Sequence, residues 1–90
     1  MNAAMTRPAA EILGLQGLGW LAGAPDGLER FLAASGADAA SLRQAAENPA
    51  QLGVILEFLL ANEDLLLAFC ETASTRPQVI HAALRHLDES

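Results

Sequence analysis

The side chains with the clearest potential for chemistry are one cysteine and two histidines in the carboxyl-terminal third of the chain. Cys70 is the only cysteine, and the two histidines are His81 and His86. A thiol becomes a nucleophile when a neighbouring base takes its proton, so Cys70 with His81 is the pair that could support such a reaction. The histidines, five positions apart, would lie about 140° from each other on a helix, whereas a zinc pair needs the i, i+4 spacing. We therefore predict no metal site.

Cys70 also has a simpler interpretation as a core residue. It follows Leu66 by four positions and Phe69 by one, on the apolar side of a predicted helix, where a buried cysteine behaves as a small hydrophobic residue. A single cysteine cannot form an intrachain disulfide, and a reducing cytoplasm is the simplest compartment for it.

The acidic residues are predicted to stabilise helix starts. Glu63 and Asp64 are adjacent, so their carboxylates would point about 100° apart on a helix and cannot form a matched acid and base. Acids in the first turn of a helix instead interact favourably with the helix dipole. We predict no catalytic residue, and the chain is not expected to be an enzyme.

Four glycines in the first third of the chain favour close helix packing over phosphate binding. No predicted strand precedes Gly14, Gly17, Gly19 and Gly23, and no Gly-Lys-Ser/Thr follows them, so no nucleotide cofactor is expected. The spacing of Gly19 and Gly23 is typical of helices whose backbones approach closely. We expect the first helix to cross the fourth at close range through these glycines.

The charge balance argues against nucleic acid and membrane partners. The 90 residues carry 11 acids and five arginines, for a net charge of −6, and the arginines are too scattered to form a basic stripe. No basic amphipathic helix or lipidation motif is visible. The mostly apolar run at residues 12–24 is shorter than the roughly 20 residues that cross a bilayer, and Glu11 and internal glycines disfavour a signal peptide.

The pattern of caps and breakers predicts an all-α fold, a compact bundle of five to six short helices. Thr6, Asp38 and Asn48 are expected to cap helix starts, Gly36 to end a helix, and Ser74 or Thr75 to cap the last one. Residues 1–5 are predicted to be a disordered leader, residues 6–87 a single domain and residues 88–90 a frayed tail. The first predicted helix follows Thr6 and ends at about residue 23, and the second opens at residues 25–27 and runs to 34. The next three run from 39 to about 46, from 49 to about 61 and from 63 to about 73, and the last follows Ser74 or Thr75 and ends near 87.

Two of these helices are apolar around their whole circumference. Residues 12–23 and 52–61 show no broad polar face, and such a helix is expected to have neighbours on every side. A shift of 38 residues also aligns Leu21 with Leu59 and Phe31 with Phe69. This internal similarity suggests the hypothesis of two three-helix units, packed face to face with the long apolar helices at the centre.

The stretch from Leu28 to Leu87 resembles a family of short bacterial proteins that form a domain of unknown function. The resemblance rests on LERFLAASGADAASLRQAAENPAQLGVILEFLLANEDLLLAF and on a final helix that begins with proline. Members commonly carry an acidic cap before that helix, where this chain has Arg76 and Pro77. The resemblance implies a compact all-helical domain of bacterial origin, and it implies no activity, cofactor or catalytic residue.

The leading interpretation is a non-enzymatic interaction or adaptor module that buries apolar helix surface against an unknown protein partner or in a homodimer. Hydrophobic residues make up 52% of the chain, and Leu15, Trp20 and Leu67 lie outside the faces assigned to the core, so we predict that these three contact the partner. A small-molecule binder or unusual enzyme that uses Cys70 with His81 is the alternative. An accessory that regulates a signalling or replication protein is a third interpretation.

Overall fold

The helices follow the predicted order. A computed structural model describes residues 5–24, 26–36 and 38–88, which form an all-α bundle with no strand among them. Residues 1–4 of the predicted leader and residues 89–90 of the predicted tail lie outside this range, as do Pro25 and Ala37. The helices are α1 (Arg7–Gly23), α2 (Gly27–Ser35), α3 (Ala39–Glu47), α4 (Pro49–Ala61), α5 (Glu63–Ala73) and α6 (Pro77–Asp88).

Local hydrogen bonds explain where several helices begin and end. The Thr6 hydroxyl oxygen accepts a hydrogen bond from the Ala9 amide at 3.2 Å and caps α1. Asp38 Oδ1 accepts from the Ser41 amide at 2.9 Å and caps α3. Gly36 ends α2 at a φ of 72°, in the left-handed region that glycine enters without steric cost. These three predicted signals are confirmed.

Ser74 has a different role from the one predicted. Either Ser74 or Thr75 was expected to cap the start of α6, but Ser74 ends α5 at a φ of 55°. Helix α6 begins only at Pro77, so Arg76 precedes it directly and Thr75 does not. The Thr75 amide donates to the Cys70 carbonyl at 2.9 Å, so the α5 end is closed by a turn of backbone hydrogen bonds. Ser74 therefore belongs to the helix before it.

The core lies where α1, α4 and α6 pack on one another, with α5 against α4 and α2 against α1. Helix α3 packs mainly against α4, whereas α6, its counterpart in the predicted repeat, contacts both long helices. The two halves therefore differ in packing. The buried apolar residues include Leu13, Leu21, Phe31, Leu52, Ile55, Leu56, Leu59, Phe69, Ile80 and Leu87, with Met5 and Trp20 half-buried against them.

Helix α4 is covered on most sides but not, as had been expected, on every side, and α1 is covered on fewer. Six of the described residues of α4 between 52 and 59 are buried, and its exposed stripe runs through Gln51, Val54, Glu57 and Ala61. Helix α1 buries one face only and leaves the opposite face open to solvent. The expectation that α1 has neighbours on every side is wrong for the single chain. Its open face combines glycine and alanine, which expose little apolar area, with the large exposed side chains of Ile12 and Leu15.

The glycines at which α1 packs closely on α4 are Gly14 and Gly17. They are not Gly19 and Gly23, whose spacing predicted the close approach. A Cβ atom on Gly14 would lie 2.8 Å from Leu52 Cβ, and one on Gly17 would lie 3.3 Å from Leu59 Cδ1. A Cβ atom on Gly19 or Gly23 would meet nothing within 4 Å. The predicted close approach exists, but Gly19 and Gly23 take no part in it.

Candidate functional site

The first exposed apolar surface is the open side of α1, which we call the α1 outer face. It consists of Pro8, Ala9, Ile12, Leu15, Gln16, Gly19, Ala22 and Gly23. Ile12 is 57% exposed and Leu15 is 42% exposed, although both are large hydrophobic residues. No residue of this face is charged, and the nearby Arg7 and Glu11 side chains pair with each other at 3.3 Å. The α1 outer face is therefore mostly apolar, with Gln16 as its polar residue and with the Arg7–Glu11 pair at its edge.

The three predicted partner-contact residues occupy different positions. Leu15 lies on the α1 outer face, and Leu67 is 52% exposed on the solvent side of α5. Trp20 is half-buried and packs against the core, with its ring centroid 5.8 Å from that of Phe69. Leu15 and Trp20 are about 140° apart around α1, so they do not share a face. Leu15 and Leu67 are available for contact, whereas Trp20 presents only part of its ring.

A second apolar surface, which the sequence did not indicate, is an open groove between α2 and α4. This α2–α4 groove has a volume of about 210 Å³. The Phe31 and Phe58 rings meet edge to face in its wall, with centroids 5.2 Å apart at an interplanar angle of 80°. Val54 is 47% exposed within it. The lining residues are Phe31, Ala34, Ser35, Val54, Glu57, Phe58 and Ala61.

A cluster of hydrogen bonds holds α2 in place beside this groove. Arg30 Nη1 donates to Asp64 Oδ2 at 2.7 Å, and Arg30 Nη2 donates to Asp64 Oδ1 at 3.1 Å and to Asn62 Oδ1 at 3.0 Å. Asn62 Nδ2 in turn donates to the Phe58 carbonyl at 2.9 Å. The pKa of Asp64 is lowered mainly by the hydrogen bond from Arg30. Asp64 thus joins two helices, in addition to its predicted place in the first turn of α5.

Glu57 is the charged residue in the lining of the α2–α4 groove. Within the described part of the chain, the ion pairs are Arg7 with Glu11 and Arg30 with Asp64. Glu57 is exposed and belongs to neither pair. Its carboxylate therefore lines the groove without an ion-pair partner among the described residues.

The proposed nucleophile is poorly placed for catalysis. Cys70 is buried, with 5% of its surface exposed, and burial raises the pKa of its thiol. His81 is exposed on α6, and no hydrogen bond joins it to Cys70 in the described residues. A thiol in this environment stays protonated near neutral pH and behaves as a hydrophobic side chain. Cys70 thus occupies the core position predicted for it.

Comparison with known families gives one assignment. Residues 7–90 match the model of a family described as a protein of unknown function, DUF3572. The chain belongs to this family. The match confirms the resemblance to a family of unknown function, and it covers the whole helical region of this DUF3572 protein. Neither the curated proteins nor the solved structures contain a match to it.

The DUF3572 domain presents exposed apolar surface in the part that the structure describes. Across residues 5–24, 26–36 and 38–88, no three His, Cys, Asp or Glu side chains are grouped so that they could hold a metal ion. None of the helices in those ranges combines the length and hydropathy needed to span a membrane. The α1 outer face and the α2–α4 groove are thus the surfaces on which an interaction can be argued for this DUF3572 protein.

Proposed function

We propose that the protein is a non-enzymatic interaction module that binds a partner protein, or a second copy of itself, through exposed apolar helix surface. The observation that carries this proposal is the α1 outer face, on which Ile12 and Leu15 lie exposed without a charged neighbour on that face. Fully burying a leucine or isoleucine side chain contributes about 1.5 to 3 kcal/mol relative to full exposure. Because Ile12 and Leu15 are about half exposed, covering them would recover a useful part of that free energy.

The rigid backbone of α1 favours binding. Gly14 and Gly17 bring α1 close to α4, so the helix is fixed in the core while its outer face stays open. Side chains that are already ordered by their helix lose less conformational freedom on binding than side chains of a loop. The α1 outer face is therefore pre-organised for contact.

Its size suits a weak or transient complex. Helix α1 has 17 residues, which corresponds to a length of about 25 Å. One helix face of this length covers much less than the roughly 800 Å² per partner of a standard stable interface. We accordingly propose an exchangeable partner in the cytoplasm of a bacterium, where a free buried thiol such as Cys70 stays reduced.

The test compares substitutions on and away from the proposed surfaces. Leu15→Glu and Leu67→Glu place a charge at the two exposed predicted contacts, and Gln78→Glu places one at an exposed position of α6. Tagged wild-type protein and the three variants are cross-linked in the native host, and the captured proteins are quantified. Light scattering at micromolar concentration measures self-association in parallel.

We expect the Leu15→Glu variant to capture less of a partner protein, or to self-associate less, than the wild type. The Gln78→Glu variant should behave like the wild type. Each variant must first show the wild-type helical circular dichroism spectrum, which the exposed positions should allow. A wild-type chain that is monomeric and captures nothing specific would refute the proposal. So would a set of captured proteins that is unchanged by both leucine substitutions.

A further inference from the structure

We propose that the α2–α4 groove binds one amphipathic helix of another protein, which carries a bulky apolar side chain and, one turn away, an arginine or lysine. This inference rests on the proposed interaction function and names the class of partner. It places the partner's apolar side chain between Phe31 and Val54 and its cation beside Glu57, all of which line the groove.

The volume of the groove indicates a side chain as its occupant. Pockets for drug-sized ligands and cofactors measure roughly 300 to 1,000 Å³, whereas an apolar cavity of about 150 Å³ holds a benzene ring. At about 210 Å³, the α2–α4 groove matches one aromatic or branched aliphatic side chain. A peptide that anchors one such side chain would fill it.

The walls of the groove indicate a helix as the binding segment. The described residues contain no strand, so an extended peptide finds no sheet edge to join. The α4 wall runs from Val54 to Ala61, a distance of about 10 Å or two helical turns. A helix laid between α2 and α4 would cover the exposed Val54 side chain with its apolar face. About two turns of the bound helix would lie along this wall.

Glu57 supplies the charge complementarity. It lies three residues after Val54 and four before Ala61, so its carboxylate sits midway along the α4 wall. No arginine of the described chain pairs with it, and the whole chain carries a net charge of −6. A cation one turn from the apolar anchor reaches this carboxylate, and attraction to the acidic protein adds to the rate of association.

The same charges argue against a second copy as the occupant. A partner copy would have to offer an exposed apolar side chain with a cation one turn away. Leu67 has Glu63 and Glu71 at the i−4 and i+4 positions, which would bring acids toward Glu57. Leu15 on the α1 outer face has Glu11 at its i−4 position, which is again an acid, and Arg7 is already paired with Glu11. A basic amphipathic helix from a different protein satisfies the groove better.

The groove is held open by contacts that do not require the partner. The Phe31 and Phe58 rings pack on each other, and Arg30 ties α2 to Asp64 and Asn62 at the start of α5. A surface fixed in this way loses little conformational entropy when a partner binds.

The experiment selects helical peptides against the full-length protein. A phage-displayed library of 14-residue helix-forming peptides, varied at its apolar and charged positions, serves as the probe. Ala34→Leu places a larger side chain in the groove. Ala33→Leu is the matched control, because Ala33 is also exposed on α2 but does not line the groove. Glu57→Lys reverses the charge of the wall, with Glu71→Lys as the matched control on α5.

We expect enriched peptides to carry Leu, Phe or Trp with Arg or Lys three or four residues away. Their affinity should fall at least tenfold for Ala34→Leu and Glu57→Lys and stay within twofold for Ala33→Leu and Glu71→Lys. Exchanging the peptide's cation for glutamate should restore binding to Glu57→Lys. Circular dichroism and thermal unfolding confirm that each variant is folded before affinities are compared.

Other outcomes overturn the inference. The proposed occupant would be excluded if no peptide were enriched on the wild-type protein relative to Ala34→Leu. It would also be excluded if the enriched peptides carried no cation, or if the wild-type protein associated with itself and Ala34→Leu abolished that association. A native partner that Leu15→Glu loses and Ala34→Leu keeps would leave the interaction function standing and refute the groove as its site. The two proposals therefore fail separately.

Discussion

Both carboxylate oxygens of Asp64 accept hydrogen bonds from the guanidinium of Arg30, at 2.7 and 3.1 Å, although the two residues are 34 positions apart. The two parallel hydrogen bonds match the planar fork of arginine. This contact joins the start of α5 to the middle of α2 and fixes the wall of the α2–α4 groove. Arg30 thus contacts another helix, whereas the periodicity of α2 alone would predict that it faces solvent.

Replacing Arg30 with glutamine should raise the pKa of Asp64 toward the ordinary carboxyl value of about 3.9. The main cause of the lowered pKa, the hydrogen bond from Arg30, is removed by the substitution. Carboxyl-carbon chemical shifts titrated by NMR measure the change. Asp38 is the internal control, because the Ser41 amide lowers its pKa independently of Arg30. An Asp64 pKa that stays lowered in the variant would contradict this assignment.

The same contact predicts a pH dependence of stability. Because the pKa of Asp64 is lowered in the folded chain, its stabilising effect is present above the ordinary carboxyl pKa and is lost as pH falls from that value through the folded pKa. The Tm difference between wild type and Arg30→Gln should therefore shrink as pH drops below about 4. A difference that is constant from neutral to strongly acidic pH would exclude the mechanism.

Local signals predicted most of the fold, and tertiary contacts account for what they missed. Thr6, Gly36 and Asp38 act on backbone atoms within three or four residues, so their roles follow from the sequence. The contact of Arg30 with Asp64 depends on how α2 and α5 pack, which no local pattern encodes. The open side of α1 was missed for a different reason, since periodicity counts glycine and alanine as apolar although they bury little area.

The α2–α4 groove shows the same limit at the level of the site. Leu15 and Leu67 were predicted as contacts because they lie off the core face of their own helices, and both are exposed. Val54 lies on the exposed stripe of α4 but is apolar like the buried residues of that helix, so helical periodicity gave it no distinction. It became visible as a site residue only where the packed helices leave the α2–α4 groove.

Gly14 and Gly19 should respond in opposite directions to substitution by alanine. A Cβ atom on Gly14 would collide with Leu52 Cβ at 2.8 Å, so Gly14→Ala should lower the free energy of unfolding by about 1 to 3 kcal/mol. Gly19→Ala meets open space and should raise it by up to about 1 kcal/mol through helix propensity. Urea unfolding measures both. Equal effects at the two positions would show that the backbones of α1 and α4 are not in close contact.

The two left-handed helix ends give a second matched pair. Ser74 has a φ of 55°, so Ser74→Gly should remove steric cost and stabilise the fold by about 1 kcal/mol. Gly36 has a φ of 72°, so Gly36→Ala should destabilise it by a similar amount. Thermal unfolding of the two variants and the wild type tests this. Destabilisation by Ser74→Gly would mean that the serine contributes more to this turn than its backbone strain costs.

Cys70 should react with thiol reagents only when the fold opens. Its side chain is buried against the core, and burial raises the pKa of the thiol, so both access and thiolate formation are limited. Labelling of the native protein near pH 7.5 should be at least about tenfold slower than labelling in urea, with Cys70→Ala as the unreactive control. The rate should increase in Gly14→Ala, because that variant opens more often. Rapid labelling of the native wild type, unaffected by Gly14→Ala, would instead show an accessible thiolate and revive the enzyme hypothesis that pairs Cys70 with His81.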